Sequence, residues 1–165
     1  MARARVAVLL ALCGACALNN QLTDGGAQFI FDIGDIHFRV SSGTGRTASG
    51  LTLYLTDQPD ACLAVTQVPV GRATILSLKV AAQADGTPAA NVVANVVTPG
   101  PGQAVGAIIV EEGGVEAERK AAVDGTIGWT ANTDGTYTLV AVDIGFEGAT
   151  GRVHVDSLTV PGCQP

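Results

Sequence analysis

From residue 29 onward the chain alternates apolar and polar positions with a period of two, the pattern of strands that bury one face. Phe29, Phe31 and Ile33 interleave with Ile30 and Asp32, and after Gly34 the residues Ile36, Phe38 and Val40 interleave with Asp35, His37, Arg39 and Ser41. This predicts two short strands, or one long strand bulged at Gly34. Leu51, Leu53 and Leu55 alternate with Thr52, Tyr54 and Thr56 before Asp57-Gln58-Pro59-Asp60 breaks the strand. Ile75 to Ala82 sets Leu76, Leu78 and Val80 against Ser77 and Lys79, and the apolar, β-branched stretch Asn91 to Val97 predicts a further strand. Ala104 to Glu111 and Val115 to Val123 flank Gly113-Gly114, a two-residue hairpin signal that leaves Glu116, Glu118 and Lys120 on the solvated side of its second strand. Thr136 to Ile144 places Val140, Val142 and Ile144 on one face, and Thr150 to Leu158 turns Val153 and Val155 inward, with Arg152, His154 and Asp156 outward.

Turn chemistry punctuates these runs at Asp85-Gly86-Thr87-Pro88, Asp124-Gly125 and Asn132-Thr133-Asp134-Gly135. Val115 to Val123 is rich in Glu and Ala, but a segment so short, bounded by Gly113-Gly114 and Asp124-Gly125, fits a strand better than a helix. No helical period of useful length, internal repeat or domain boundary is visible. The expected fold is all-β: a single antiparallel β-sandwich, or the related closed barrel, over residues 29–165.

The first 28 residues follow another logic. Arg3 and Arg5 precede an apolar run from Val6 to Leu12, and Gly14-Ala15 supplies small residues, so residues 1–15 read as a secretory signal peptide. The run is far shorter than the about 20 apolar residues a bilayer span needs. Residues 16–28, polar and containing Asn19-Asn20 and Gly25-Gly26, read as a flexible tether. Composition supports a folded remainder, since 47% hydrophobic with 15% charged residues is not a disordered profile. Removing Arg3 and Arg5 with the signal takes the basic residues from 9 to seven and the formal charge from −6 to −8. No basic run exists, so neither nucleic-acid binding nor adsorption to an anionic membrane surface is expected.

Leu12-Cys13-Gly14-Ala15-Cys16 resembles the lipobox of bacterial lipoproteins, in which small residues precede a cysteine that is diacylated and becomes the new N-terminus. Gly14 and Ala15 fit the two positions before Cys16, whereas Cys13 stands where that family prefers leucine. The resemblance implies lipid attachment at Cys16; the alternative is plain secretion with cleavage after Ala15 or Ala17. Cys62 and Cys163 lie in the folded region. In an oxidising compartment two such cysteines usually pair, the alternative being two free, buried thiols. They are too far apart in sequence for a CxxC redox pair and too few for a zinc site.

The segment TLYLTDQPDAC from Thr52 to Cys62, the strand GTYTLVAV from Gly135, and the C-terminal GRVHVDSLTVPGC resemble a group of small bacterial secreted proteins and lipoproteins. In that group a D-x-P-x-x-C element and a last strand ending in a near-terminal cysteine recur around a β-rich domain. The resemblance implies fold and location rather than chemistry, and it favours a Cys62–Cys163 bond.

Residues with catalytic potential are sparse. No G-x-S-x-G or S-x-x-K motif presents a nucleophile, and no H-x-x-x-H spacing presents zinc ligands. His37 and His154 both fall on outward strand positions, where surface imidazoles are the simpler reading. Asp32 with Asp35, and Asp57 with Asp60, offer oxygen ligands for a hard cation. Turn-capping explains both pairs more simply, and Asp57 is further placed to accept backbone N–H groups across the turn that delivers Cys62. Tyr54, Tyr137 and Trp129 are the aromatics available for sugar stacking. The sequence therefore predicts a non-enzymatic, exported envelope lipoprotein with an interaction or structural role and no cofactor. It would touch the membrane only through its N-terminal lipid and meet an envelope protein or a glycan. The alternatives are a carbohydrate- or cation-binding β-sandwich module and, less favoured, a hydrolase with scattered acids.

Overall fold

The structure, a computed structural model, describes residues 29–47, 50–81 and 89–163; the signal peptide, Cys16, the tether and the Asp85-Gly86-Thr87-Pro88 turn lie outside them. It is built almost wholly of strands: β1 (Ile30–Ile33), β2 (Ile36–Arg39), β3 (Ser42–Thr47), β4 (Leu51–Thr56), β5 (Arg72–Val80), β6 (Ala89–Val92), β7 (Gln103–Glu112), β8 (Val115–Ala131), β9 (Thr136–Phe146) and β10 (Arg152–Pro161), with one helical turn, α1 (Ala61–Ala64). Strands β1 and β2 form a separate hairpin around Gly34-Asp35. The other eight form one sheet in the order β10-β9-β8-β6-β7-β5-β4-β3, antiparallel except where β6 runs parallel to β7. The short β6 is wedged between β7 and β8 where those two long strands diverge.

That sheet curls until its edges meet, so of the two predicted architectures the nearly closed barrel is the one formed. Gly45 of β3 bridges Gly162 just beyond β10, and the Thr44 hydroxyl donates to the Pro161 carbonyl at 3.0 Å. Cys62 and Cys163 form a disulfide at this seam, with Cα atoms 5.6 Å apart, an arrangement that fits an oxidising, exported location. The Tyr137 ring lies against the seam: a Cβ on Gly45 would stand 2.7 Å from its Cδ2, which accounts for the missing side chain there.

One continuous core fills the interior. Leu51, Leu53 and Leu55 meet Leu76, Leu78, Ile108, Leu139 and Ile144, and the inward face of the hairpin contributes Phe31, Ile33, Ile36 and Phe38. Alternation identified the inward residues of the hairpin, β4 and β5, but in β9 Leu139 is buried in place of Val140.

Several expectations fail where strands bulge or end. Asp124-Gly125 is not a turn: β8 runs through it from Val115 to Ala131, and Val123 is the extra residue of a bulge between the pairs Ala122–Phe146 and Asp124–Gly145. Gly125 has φ +123°, and a Cβ there would lie 1.9 Å from the Asp143 carbonyl oxygen. Asn91 to Val97 does not continue as a strand; the chain leaves the sheet after Val92 and turns through Asn95 at φ 59°. Glu116, Glu118 and Lys120 do not share a solvated face either. Ala117 is bulged out of the register with β7, so Glu118 and Lys120 stand opposite Val110 and Ile108, on the core side.

Lys120 is accordingly only 17% exposed, and its Nζ lies 2.9 Å from both Asp35 of the hairpin turn and Glu118. Its alkyl stem covers apolar surface while the ammonium reaches the carboxylates. The Lys120 ammonium holds the Asp35 carboxyl below its ordinary range. A depressed carboxyl adds stability above its unfolded pKa, and that contribution is lost as pH falls through the lower, folded value. Asp35→Asn is therefore expected to lower the urea midpoint at neutral pH, and the gap from the parent should close below about pH 4. Midpoints measured from pH 2 to 7 test this; two parallel curves would contradict it.

Candidate functional site

The titratable residues singled out in the sequence are mostly occupied in structural pairings. Asp57 accepts the Thr74 backbone N–H at 2.9 Å and the Gln58 side-chain amide at 2.9 Å, pinning the turn before α1 to β5. Asp60 caps α1, accepting the Leu63 N–H at 3.1 Å. Asp32 and Asp35 diverge: Asp35 meets Lys120, whereas Asp32 lies 2.6 Å from His37 Nδ1 across the hairpin. Among the described residues, no three His, Cys, Asp or Glu side chains gather as a metal site.

Both histidines have a carboxylate neighbour, His154 standing 3.5 Å from Asp156. Yet all four side chains are two-thirds or more exposed, and none of them lines the concavities described below. The aromatics are equally dispersed. Tyr137 packs on the seam and reaches the Thr47 hydroxyl at 3.3 Å. Trp129 packs against the core, and its buried Nε1 finds no hydrogen-bond partner among the described residues. Tyr54 lines a concavity.

That concavity exists because β7 is apolar on both faces. Ile108 and Val110 point into the barrel, whereas Val105, Ala107 and Ile109 point out, beside Ile75 of β5. Two segments partly cover this outer face. On one side α1 and the chain after it cross the sheet, where Val68 packs so close to Gly114 that a Cβ on that glycine would lie 2.1 Å from the Val68 side chain. On the other side the loop that leaves β6 lays Val93 to Val97 against β7 and β8.

A trench runs between the two coverings. One part, of about 370 Å³, is lined by Tyr54, Ile75, Ser77, Ile109 and the segment from Ala64 to Pro69. The next, of about 570 Å³, shares Ser77 and Ile109 and adds Lys79, Ala107, Arg119, Val96 and Val97. A third, of about 280 Å³, continues past Lys79 to Arg46, Thr52, Thr98 and Pro99. Exposed large apolar side chains stand on the rims, with Val68 on one side and Val96 and Val97 on the other. Arg119 is held by Glu116 at 2.8 Å, which also keeps its guanidinium firmly charged. Lys79 and Arg46 have no ion-pair partner among the described residues.

Sequence reading identified the outward parity of Thr52, Ser77 and Lys79. The trench needed more: the register that aligns those positions across strands, and the two chain segments that wall them in. Compared with protein-family models, with curated proteins and with solved structures, the chain matches nothing.

Proposed function

We propose that this chain is an exported envelope lipoprotein, diacylated at Cys16 and tethered through residues 16–28, whose barrel domain binds another envelope component through the outer-face trench and carries out no reaction. The resemblance to small bacterial secreted proteins and lipoproteins supports the location. The observation that carries the binding reading is the trench itself, an apolar sheet face left open between two coverings and rimmed by exposed valines. A folded domain seldom leaves such a surface unburied without a use for it. The candidate acids and imidazoles lie elsewhere, in turn caps and surface pairs, which favours binding over catalysis.

The test is the intact mass of the native protein recovered from membranes, before and after reduction and alkylation. A chain beginning at Cys16 with added acyl mass, alkylated at Cys62 and Cys163 only after reduction, is the expected result. An unacylated chain found in the soluble fraction would refute the lipid anchor. A glycan-binding reading is favoured by one observation, the position of Tyr54 on the trench wall, where a sugar ring could stack.

A further inference from the structure

We infer that the trench takes a single-chain anionic amphiphile, its charged head held by Arg46, Thr52 and Lys79 and its acyl tail lying over Ile109. This rests on the reading of the trench as the binding face and adds the class of ligand.

The head site follows from register. Arg46 pairs with Thr52, and Thr52 with Lys79, so the three residues form one row across β3, β4 and β5. At the ordinary strand spacing the outer two backbones stand about 10 Å apart, within reach of one small anion for two long cationic side chains. All three line the same depression. In a chain of net charge −6, Arg119, Lys120 and Arg152 are each neutralised by carboxylates, while Arg46 and Lys79 have no such partner among the described residues. Two neighbouring cations flanking a hydroxyl form a receptor for a carboxylate or phosphate.

The tail site follows from what the floor lacks. Lys79 also borders the apolar part of the trench, so head and tail sites are continuous. Across the floor Tyr54 pairs with Ser77, Ser77 with Ala107, and Ala107 with Ala121. These strands lie inside the sheet, and their backbone groups are committed to neighbouring strands. An extended peptide laid on this face would bury its own N–H and C=O groups with nothing to pair them, and strand addition requires a free edge. An acyl chain has no such groups to satisfy. From Lys79 to Ile75 the floor runs about 13 Å along β5, suited to a chain of medium length.

A fatty acid and a lysophospholipid both carry such an anionic head, and the experiment separates the two. The oxidised, signal-free chain is titrated calorimetrically, below micelle formation, with dodecanoate, with a dodecanoyl lysophosphatidylglycerol and with uncharged dodecanol. At least one of the two anions should saturate at one per chain, and the tighter one names the head. Arg46→Ala combined with Lys79→Ala should weaken that anion at least tenfold and leave dodecanol unchanged; both side chains are exposed, so the fold should be kept. Val97→Asp, at an 87% exposed rim position, should also weaken it. No saturable binding of either anion, or affinity unchanged in the double variant, would overturn the inference. Either result with Cys16 found acylated rejects the ligand class while leaving the lipoprotein reading intact.

Discussion

Replacing Cys62 and Cys163 together by serine should lower the free energy of unfolding by about 4–5 kcal/mol. For a domain of this size, that corresponds to a fall of roughly 10–20 °C in Tm. The cysteines are 101 residues apart in sequence, so the bond removes a large loop from the freedom of the unfolded chain. Its place in the fold adds a local expectation. At the seam the edge strands β3 and β10 share little hydrogen bonding, the Gly45–Gly162 bridge and the Thr44 bond to Pro161, while the Gly162 N–H is donated to Gly135 of the turn before β9 at 3.1 Å. With the bond gone, amide exchange should accelerate first along β3 and the end of β10, before β5 and β7 at the sheet centre respond. Guanidinium unfolding of the parent and the double variant measures the global term, and its slope should rise as the freed chain exposes more surface. A loss below about 1 kcal/mol would mean that the seam holds without its covalent link.

What could be read from the sequence, and what could not, divides along the line between local and paired information. Leu51, Leu53 and Leu55 declare their face through their own alternation. Gly113-Gly114 declares a turn because both residues need positive φ, observed at 58° and 79°. Asp57 was legible as an acceptor, but the backbone N–H it takes is that of Thr74 in β5 rather than one across its own turn. A bulge, by contrast, is a count of two residues against one on a partner strand, and no single strand reports it. Asp124-Gly125 suits a bulge as well as a turn, and only the pairing of β8 with β9 decides between them.

Val140 shows the same effect on parity. It was expected inward with Val142 and Ile144, yet it is 40% exposed while Leu139 and Val142 are buried. Ala141 takes φ 48°, and β10 changes face alongside it, burying Val155 and Leu158 and exposing Asp156 and Ser157. The trench is further still from local information. Arg46, Thr52 and Lys79 are scattered along 34 positions of sequence and become a row only through two strand registers. Seam closure has the same character, since Gly45 and Gly162 carry no sign of each other until Tyr137 is placed against both.

Phe38→Ala should cost about 3–5 kcal/mol, comparable with losing the disulfide. Phe38 is fully buried, with its ring centroid 6.2 Å from that of Phe31. A two-stranded hairpin is marginal by itself, so β1 and β2 depend on what their inward face meets. Phe31, Ile33, Ile36, Phe38 and Val40 belong to the same buried cluster as Leu53, Leu78 and Ile108. Along its length the hairpin is further tied by the Asp35–Lys120 pair at its turn and by the Ser41 N–H donated to Thr56 at its exit. This continuity distinguishes two outcomes. A cap that lifts independently would give rapid exchange over residues 30–39 with global unfolding unchanged. A hairpin integral to the core should instead pull the whole domain down in one cooperative transition, and that is the expected result. His37→Ala provides the control, one residue away on the opposite face, where only an exposed contact with Asp32 is lost. It should change stability by no more than about 0.5 kcal/mol. Similar losses from both substitutions would contradict the alternation from which this fold is read, because His37 and Phe38 would then not differ in burial.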